Sequence, residues 1–270
     1  MDAHDPRRWD AAASRFDDLV CHVLAEDRGG IVAARVAAEA RRLRARRPGR
    51  AILAADFGCG TGRALRLLAA HADAVVGTDV SPACLAVATR GARGRDRVVL
   101  VRADLGRARV ALPIRAPGAD LGLCVNVAIM PDERLRGRIL ANAARHVRPG
   151  GRLLLVVPAH ESQLLVRRRW REWTGSRWRT GPREHPVEGL YEVGGALTKL
   201  WTREELVSLA ETLGCRAIAI ERVEYDWSTE FERPPASFRA PYPWDWLAVL
   251  ERRPARRIKA ARAPAPSASR

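Results

Sequence analysis

The stretch Asp56-Phe57-Gly58-Cys59-Gly60-Thr61-Gly62 decides how this chain is read. It follows an apolar run, Ala51-Ile52-Leu53-Ala54-Ala55, of the kind that forms a buried strand bounded by turn residues. Behind it, Arg63-Ala64-Leu65-Arg66-Leu67-Leu68-Ala69-Ala70 repeats its apolar residues at helical spacing. A strand that turns through glycines into a helix makes a corner suited to a ligand. The glycines let the backbone come close, and the helix N-terminus offers unpaired N–H groups. A dinucleotide fingerprint, Gly-x-Gly-x-x-Gly, would require glycine where this chain has Arg63. The pattern is instead acid-x-Gly-x-Gly-x-Gly, with Asp56 at the strand end.

A second acid follows where a nucleoside would need it. Ala74-Val75-Val76-Gly77-Thr78 reads as the next buried strand, ended by Asp79, whose carboxylate can accept from both ribose hydroxyls. Ser81-Pro82 then opens a helix, with serine as N-cap and proline in the first helical position. Together these residues resemble the class I S-adenosylmethionine-dependent methyltransferases.

Strand and helix signals alternate onward: strand 51–56, helix 61–71, strand 74–79, helix 82–90, strands 98–102 and 119–125, helix 132–147, strand 152–157. Such alternation with continuous aliphatic strands predicts an α/β fold whose mostly parallel sheet is covered by helices on both faces. Arg148-Pro149-Gly150-Gly151 reads as a helix C-cap before a tight turn into the next strand. Thr202 and Glu205 form a capping box for helix 203–213, followed by strands 215–225 and 244–251. The resemblance implies a Rossmann-like sheet of seven strands, the last antiparallel, and covers roughly 51–252.

Upstream, residues 8–47 read as a helical N-terminal cap in two parts. Trp9, Ala13, Phe16, Val20 and Val23 share one face, and Ile31, Val32, Val36 and Ala40 another. The expected domains are the cap over 1–50, a methyltransferase domain over 51–253 with an acceptor lid inserted at 158–200, and a basic disordered tail over 254–270.

Composition bounds the setting. No stretch is long and apolar enough for a membrane span, and the N-terminus lacks a signal pattern. Five scattered cysteines without a Cys-x-x-Cys pair predict reduced thiols, no metal and a cytoplasmic setting. The net charge of +16 comes almost wholly from arginine, Lys199 and Lys259 being the only lysines. A solvated arginine face accounts for that without nucleic acid, although a basic surface does attract phosphate.

The resemblance implies S-adenosyl-L-methionine as cofactor, S-adenosyl-L-homocysteine as its product, and roles for particular residues. Asp56 would orient the methionine amino group. Gly58, Cys59, Gly60 and Gly62 would shape the loop beneath the methionine and ribose. Asp79 would take the ribose hydroxyls, and Val80 would pack on the adenine. Ala103, Asp104 and Leu105 would read the adenine edge, with Asp104 accepting from its amino group. Asn126, ending the fourth strand, would line the methionine side or face the acceptor. Phe16-Asp17 stands where relatives often carry Tyr-Asp over the cofactor.

The reaction implied is in-line displacement at the sulfonium methyl. Alignment at about 3–3.5 Å supplies much of the acceleration in such reactions, so few catalytic residues are needed. No Asn/Asp-Pro-Pro-Tyr/Phe follows the fourth strand and no Pro-Cys pair occurs, which argues against base-amine and pyrimidine-carbon methylation. His160, Glu161, His185 and Tyr191 are candidate bases should one be required. In 158–200, Leu165, Val166, Trp170 and Trp173 share a helical face beside Arg167, Arg168, Arg169 and Arg171. That pattern suits an amphipathic lid, and an aromatic or anionic acceptor.

The expected function is methyl transfer to a small molecule. An RNA methyltransferase and a non-catalytic cofactor-binding protein are the alternatives. Removing residues 254–270 is expected to leave methyl transfer intact in a labelled-methyl assay; a large loss would assign the tail to substrate capture.

Overall fold

The structure is a computed structural model that describes residues 6–15, 22–94 and 96–254. Phe16-Asp17, Val20 and all but the first residue of the 254–270 tail lie outside the described residues.

Seven strands form the main sheet: β1 (Leu53–Phe57), β2 (Ala74–Asp79), β3 (Val98–Arg102), β4 (Ala119–Val125), β5 (Val147–Pro158), β8 (Cys215–Glu224) and β9 (Trp244–Arg252). Their order is β3-β2-β1-β4-β5-β9-β8. β1 pairs in parallel with both β2 and β4, whereas β9 lies antiparallel between β5 and β8. The expected architecture is therefore the observed one. The chain winds outward from β1 to β3, then crosses back to β4, so strand order reverses between β1 and β4. Open α/β sheets bind ligands at such a switch point, beyond the carboxyl ends of the strands.

Apolar stripes on the helices cover both faces of the sheet. On one face, Ile139 and Leu140 of α6 (Glu133–Arg145) and Leu206 of α8 (Arg203–Thr212) join Phe57, Leu153 and Leu155 in one fully buried cluster. The other face carries Val32, Val36 and Leu43 of α3 (Ile31–Arg46), with Leu68 of α4 (Leu65–His71) and Leu85 of α5 (Pro82–Gly91). Neighbouring residues in β5, Leu154 and Leu155, fall in opposite clusters, as the alternation of a strand requires. Each buried leucine contributes about 1.5–3 kcal/mol of hydrophobic stabilisation.

The caps read from the sequence are present. Ser81 Oγ accepts from Cys84 N with Pro82 behind it, and Thr202 and Glu205 form a reciprocal capping box.

Local departures have physical causes. α4 starts at Leu65 rather than Thr61 because Gly62 sits at φ 87°, in the left-handed region that breaks a helix. The run Arg148–Gly151 is not a helix cap: α6 stops at Arg145 with His146 as its cap, and β5 already begins at Val147, which pairs with Ala119. Arg148 is held there by Asp120, its Nε donating to Oδ1 at 2.5 Å. At the N-terminus the described residues form α1 (Pro6–Ala12), a 3₁₀ turn over Ala13–Arg15, and α2 (Val23–Glu26).

The insert after β5 forms α7 (His160–Thr174), and then a hairpin of β6 (Leu190–Val193) and β7 (Ala196–Lys199) that the sequence reading missed. Its turn, Gly194-Gly195, has φ of 54° and 74°, the positive pair that a tight two-residue hairpin turn demands. Among the described residues no helix is long and apolar enough to cross a membrane.

One buried ion cluster ties α3 to the sheet edge. Arg152 Nε donates to Glu39 Oε2 at 3.1 Å, and its Nη1 bonds Glu251. Arg42 Nε also donates to Glu39. Arg152→Ala is expected to cost about 3 kcal/mol in urea unfolding, the low end for breaking a buried pair, since Arg42 stays with Glu39. A loss below about 1 kcal/mol, the size of an exposed pair, would contradict the role given to this cluster.

Candidate active site

The glycine loop is bent into shape by the end of β2. Thr78 O accepts from both Gly58 N and Cys59 N, at 2.7 and 2.8 Å. Asp79 holds the loop from the next position: its Oδ2 accepts from Gly60 N at 2.8 Å and its Oδ1 from Ser81 N at 2.9 Å. A Cβ at Gly58, whose φ is 76°, would lie 2.4 Å from the Val127 side chain, so glycine is required for the loop to pass there.

Beneath this loop sits Asp56, at the end of β1 and only 3 % exposed. Its Oδ2 is buried without a hydrogen-bond partner. Burial first, and then the charge of Asp79, push its carboxyl up to about 7. Asp79, half-buried, is also raised by burial, with hydrogen bonds from the backbone of Ser81, Gly60 and Val80 pulling the other way.

These residues open onto a cavity of about 830 Å³. It brings together Asp56, Gly58, Cys59, Gly60, Asp79, Val80, Ala103, Leu105 and Asn126 from the sequence-derived set. Gly62 lies below the loop, where a Cβ would meet Leu65 and Ala88. Asp104 is placed in a neighbouring cleft with Val80 and Ala103, and its Oδ1 accepts from Gly106 N at 2.8 Å.

Cys59 is buried, and its thiol is raised well above the ordinary range by burial and then by Asp56 and Asp79, so it is no nucleophile. Cys124 is core, pushed up to about 12 by burial and the Asp56 charge.

None of the candidate bases from the insert lines this cavity. Glu161 instead accepts from Arg203 N and Trp246 Nε1, and the rings of His160 and Tyr191 lie 5.5 Å apart. Three of the four arginines of α7 are engaged elsewhere: Arg167 with Glu184, and Arg168 and Arg169 with Glu172. Val166 does pack inward, against Trp227 and Phe231, with Trp170 alongside. The expected apolar face is there, but its basic flank does not line the cavity.

Sequence reasoning missed the wall supplied from β8 and β9. Tyr225, Glu230, Trp244 and Asp245 all line the cavity. The available signal was an acid between two tryptophans, Trp244-Asp245-Trp246, at the start of an apolar strand.

A raised carboxyl is bound more tightly to its proton in the folded than in the unfolded state. Ionising Asp56 between the ordinary 3.8 and about 7 therefore removes stability as pH rises. Asp56→Asn is expected to stabilise the ligand-free protein by about 1–3 kcal/mol at about pH 8, and to change little at about pH 4. Thermal and urea unfolding at both pH values check this; destabilisation at the higher pH would overturn it.

The comparisons agree with this geometry. Residues 54–151, which run from β1 into β5, match a family described as a methyltransferase domain. No curated protein matches the chain. Among solved structures, the DhpI complex with S-adenosylhomocysteine is 21% identical, covering 93% of this chain and 97% of its own, with a TM-score of 0.55. An S-adenosylmethionine-dependent methyltransferase from Mesorhizobium loti is 22% identical, over 80% and 98% of the two chains, at 0.54. The Burkholderia thailandensis 1,6-didemethyltoxoflavin-N1-methyltransferase, solved with 1,6-didemethyltoxoflavin and S-adenosylhomocysteine, is 17% identical over 93% and 88%, also at 0.54. Residues 54–151 are thus similar to a methyltransferase domain, and the seven-stranded sheet around the glycine corner has the Rossmann-like fold of these solved structures.

Proposed function

We propose that this protein is an enzyme that transfers a methyl group from S-adenosylmethionine to a small-molecule acceptor. The observation that carries the reading is the unpartnered carboxylate oxygen of Asp56, beneath a glycine loop and beside a roomy cavity. A buried acid of this kind needs a cation or a donor, and the amino group of the cofactor supplies one.

The remaining residues fit the same group. Asp79 has lone pairs left after Gly60 N and Ser81 N, and these accept from the ribose hydroxyls. Val80 packs on the adenine, while the backbone of Ala103 to Leu105 reads its edge. Because Asp104 already accepts from Gly106 N, it contributes to the adenine end mainly by fixing that turn. Gly58, Cys59 and Gly60 keep the loop thin enough for close approach, and Asn126 marks the border with the acceptor.

The chemistry supplied by bound S-adenosylmethionine is an electrophilic methyl on a positively charged sulfur, displaced in line and leaving S-adenosylhomocysteine. The protein's part is to hold both reactants and exclude water. A small acceptor is favoured because the site is a cavity of about 830 Å³, within the usual range for small-molecule pockets. The RNA alternative draws on the basic surface, but three of the four α7 arginines, Arg167, Arg168 and Arg169, are paired with carboxylates. The acceptor lid of the sequence reading corresponds to α7 and the β6–β7 hairpin; Val166 and Thr198, one from each, line the cavity.

Titration calorimetry with S-adenosylhomocysteine is expected to give binding, and Asp79→Ala to weaken it roughly 10–150-fold, the range for hydrogen bonds to a charged group. Labelled methyl is expected in the small-molecule fraction of a cell extract. Absence of binding would overturn the reading; label confined to RNA, lost with added salt, would replace the acceptor class.

A further inference from the structure

The acceptor end of the cavity has an unusual charge. The chain carries a formal +16, yet among the described residues the charged side chains lining this cavity are Asp56, Asp79, Glu230 and Asp245 with a single guanidinium, Arg63. Asp56 and Asp79 belong to the cofactor corner. Glu230 and Asp245 do not.

Asp245 is 9 % exposed, on β9 in register with Pro158 of β5 and Val223 of β8, at the ligand-binding edge of the sheet. Tyr225 Oη donates to its Oδ2 at 2.9 Å, and Asn126 Nδ2 reaches the same oxygen at 3.5 Å. Among the described residues Oδ1 receives no hydrogen bond, and Asp245 borders the cavity. Asn126 Oδ1 and Trp244 Nε1, from the same wall, are buried without partners. A side chain held by two donors on one oxygen, with the other oxygen left over, is oriented for an incoming donor. Glu230 remains solvent-exposed in the wall and adds a second negative charge. The rest of the lining includes Val166, Met130, Leu200 and Trp244, all buried and apolar in body.

We infer that Asp245, aided by Glu230, docks a basic nitrogen of the acceptor, so that the acceptor is a small amine with an apolar body. This rests on reading the cavity as a methyl-transfer site. A carboxylate acceptor would face two acids, with Arg63 the one arginine or lysine among the described lining residues, which costs it binding. The aromatic part of the earlier acceptor expectation is compatible with the apolar walls; its anionic part is not. Burial pushes the Asp245 carboxyl up to about 6 against the pull of Tyr225 and Asn126, which leaves it ionised above neutrality. Glu230 is raised in the same sense by its crowded surroundings and the Asp245 charge, with solvent in the open cavity limiting the effect.

The test is calorimetry at about pH 8 on protein saturated with S-adenosylhomocysteine, using amines and carboxylates that share an apolar body. The pairs are 2-phenylethylamine with 3-phenylpropionate, tryptamine with indole-3-propionate, and hexylamine with heptanoate. At least one amine is expected to bind about tenfold or more tightly than its carboxylate partner. Asp245→Asn and Glu230→Gln are each expected to weaken that amine about tenfold while S-adenosylhomocysteine affinity stays within about twofold. Glu230 is exposed, so its variant keeps the fold even if Asp245→Asn does not. Carboxylates binding as well as amines, no amine binding to the saturated protein, or amine affinity surviving in Glu230→Gln and in folded Asp245→Asn would each overturn the inference. So would a loss of S-adenosylhomocysteine affinity in Asp245→Asn with amine binding unchanged. If S-adenosylhomocysteine itself fails to bind, the reading beneath the inference fails instead.

Discussion

A carboxylate sealed inside a protein without a donor is expensive, by about 1–3 kcal/mol and more when charged. Asp56 is in that position, and the corner around it is organised to keep it so. β1 leads on to β2 at one side and β4 to β5 at the other, so the connections part at the switch point and leave space above the strand ends. Thr78 and Asp79 at the end of β2 hold Gly58, Cys59 and Gly60 in a loop that arches over that space rather than filling it. Gly58 permits the arch because any side chain would strike Val127. The sheet order, the loop and the two acids are thus one arrangement, whose cost the proposed cationic nucleoside ligand would offset.

Much of this was legible in the sequence. β2, β3 and β4 were read to the residue; in β2 a continuous apolar run, covered on both faces, ends sharply at Asp79. The glycine spacing separated the corner from a dinucleotide site for a steric reason that needs no tertiary information. The N-terminal helices were less legible, since α1 and α2 are short and owe their form to contacts with distant residues. Asp10, for example, accepts from Ser81 Oγ at 2.5 Å across 71 positions.

The acceptor wall was not legible. Asp245 gains its orientation from Tyr225, 20 positions earlier, and from Asn126, 119 positions earlier. Its flanking tryptophans, Trp244 and Trp246, are the one local mark that sets it apart from a surface acid at the start of a strand, and they do not reveal those partners. The hairpin β6–β7 was missed for a related reason: its strands are four residues each, too short for a period to emerge, and only Gly194-Gly195 marked the turn. The arginines of α7 misled in the opposite direction. Their charge was plain in the sequence, whereas their carboxylate partners, Glu172 and Glu184, became visible only in the fold. Net charge describes the surface of this protein and says little about its cavity, where among the described residues acids outnumber the one arginine.

The most direct measurement is the affinity of S-adenosylhomocysteine against that of 5′-S-(3-carboxypropyl)-5′-thioadenosine, which keeps the nucleoside and the carboxylate and lacks the ammonium. If the orphaned oxygen of Asp56 is matched by that ammonium, the deaminated compound binds roughly 10–150-fold more weakly at about pH 8. Equal affinity for the two would contradict the role of Asp56 on which the functional reading stands.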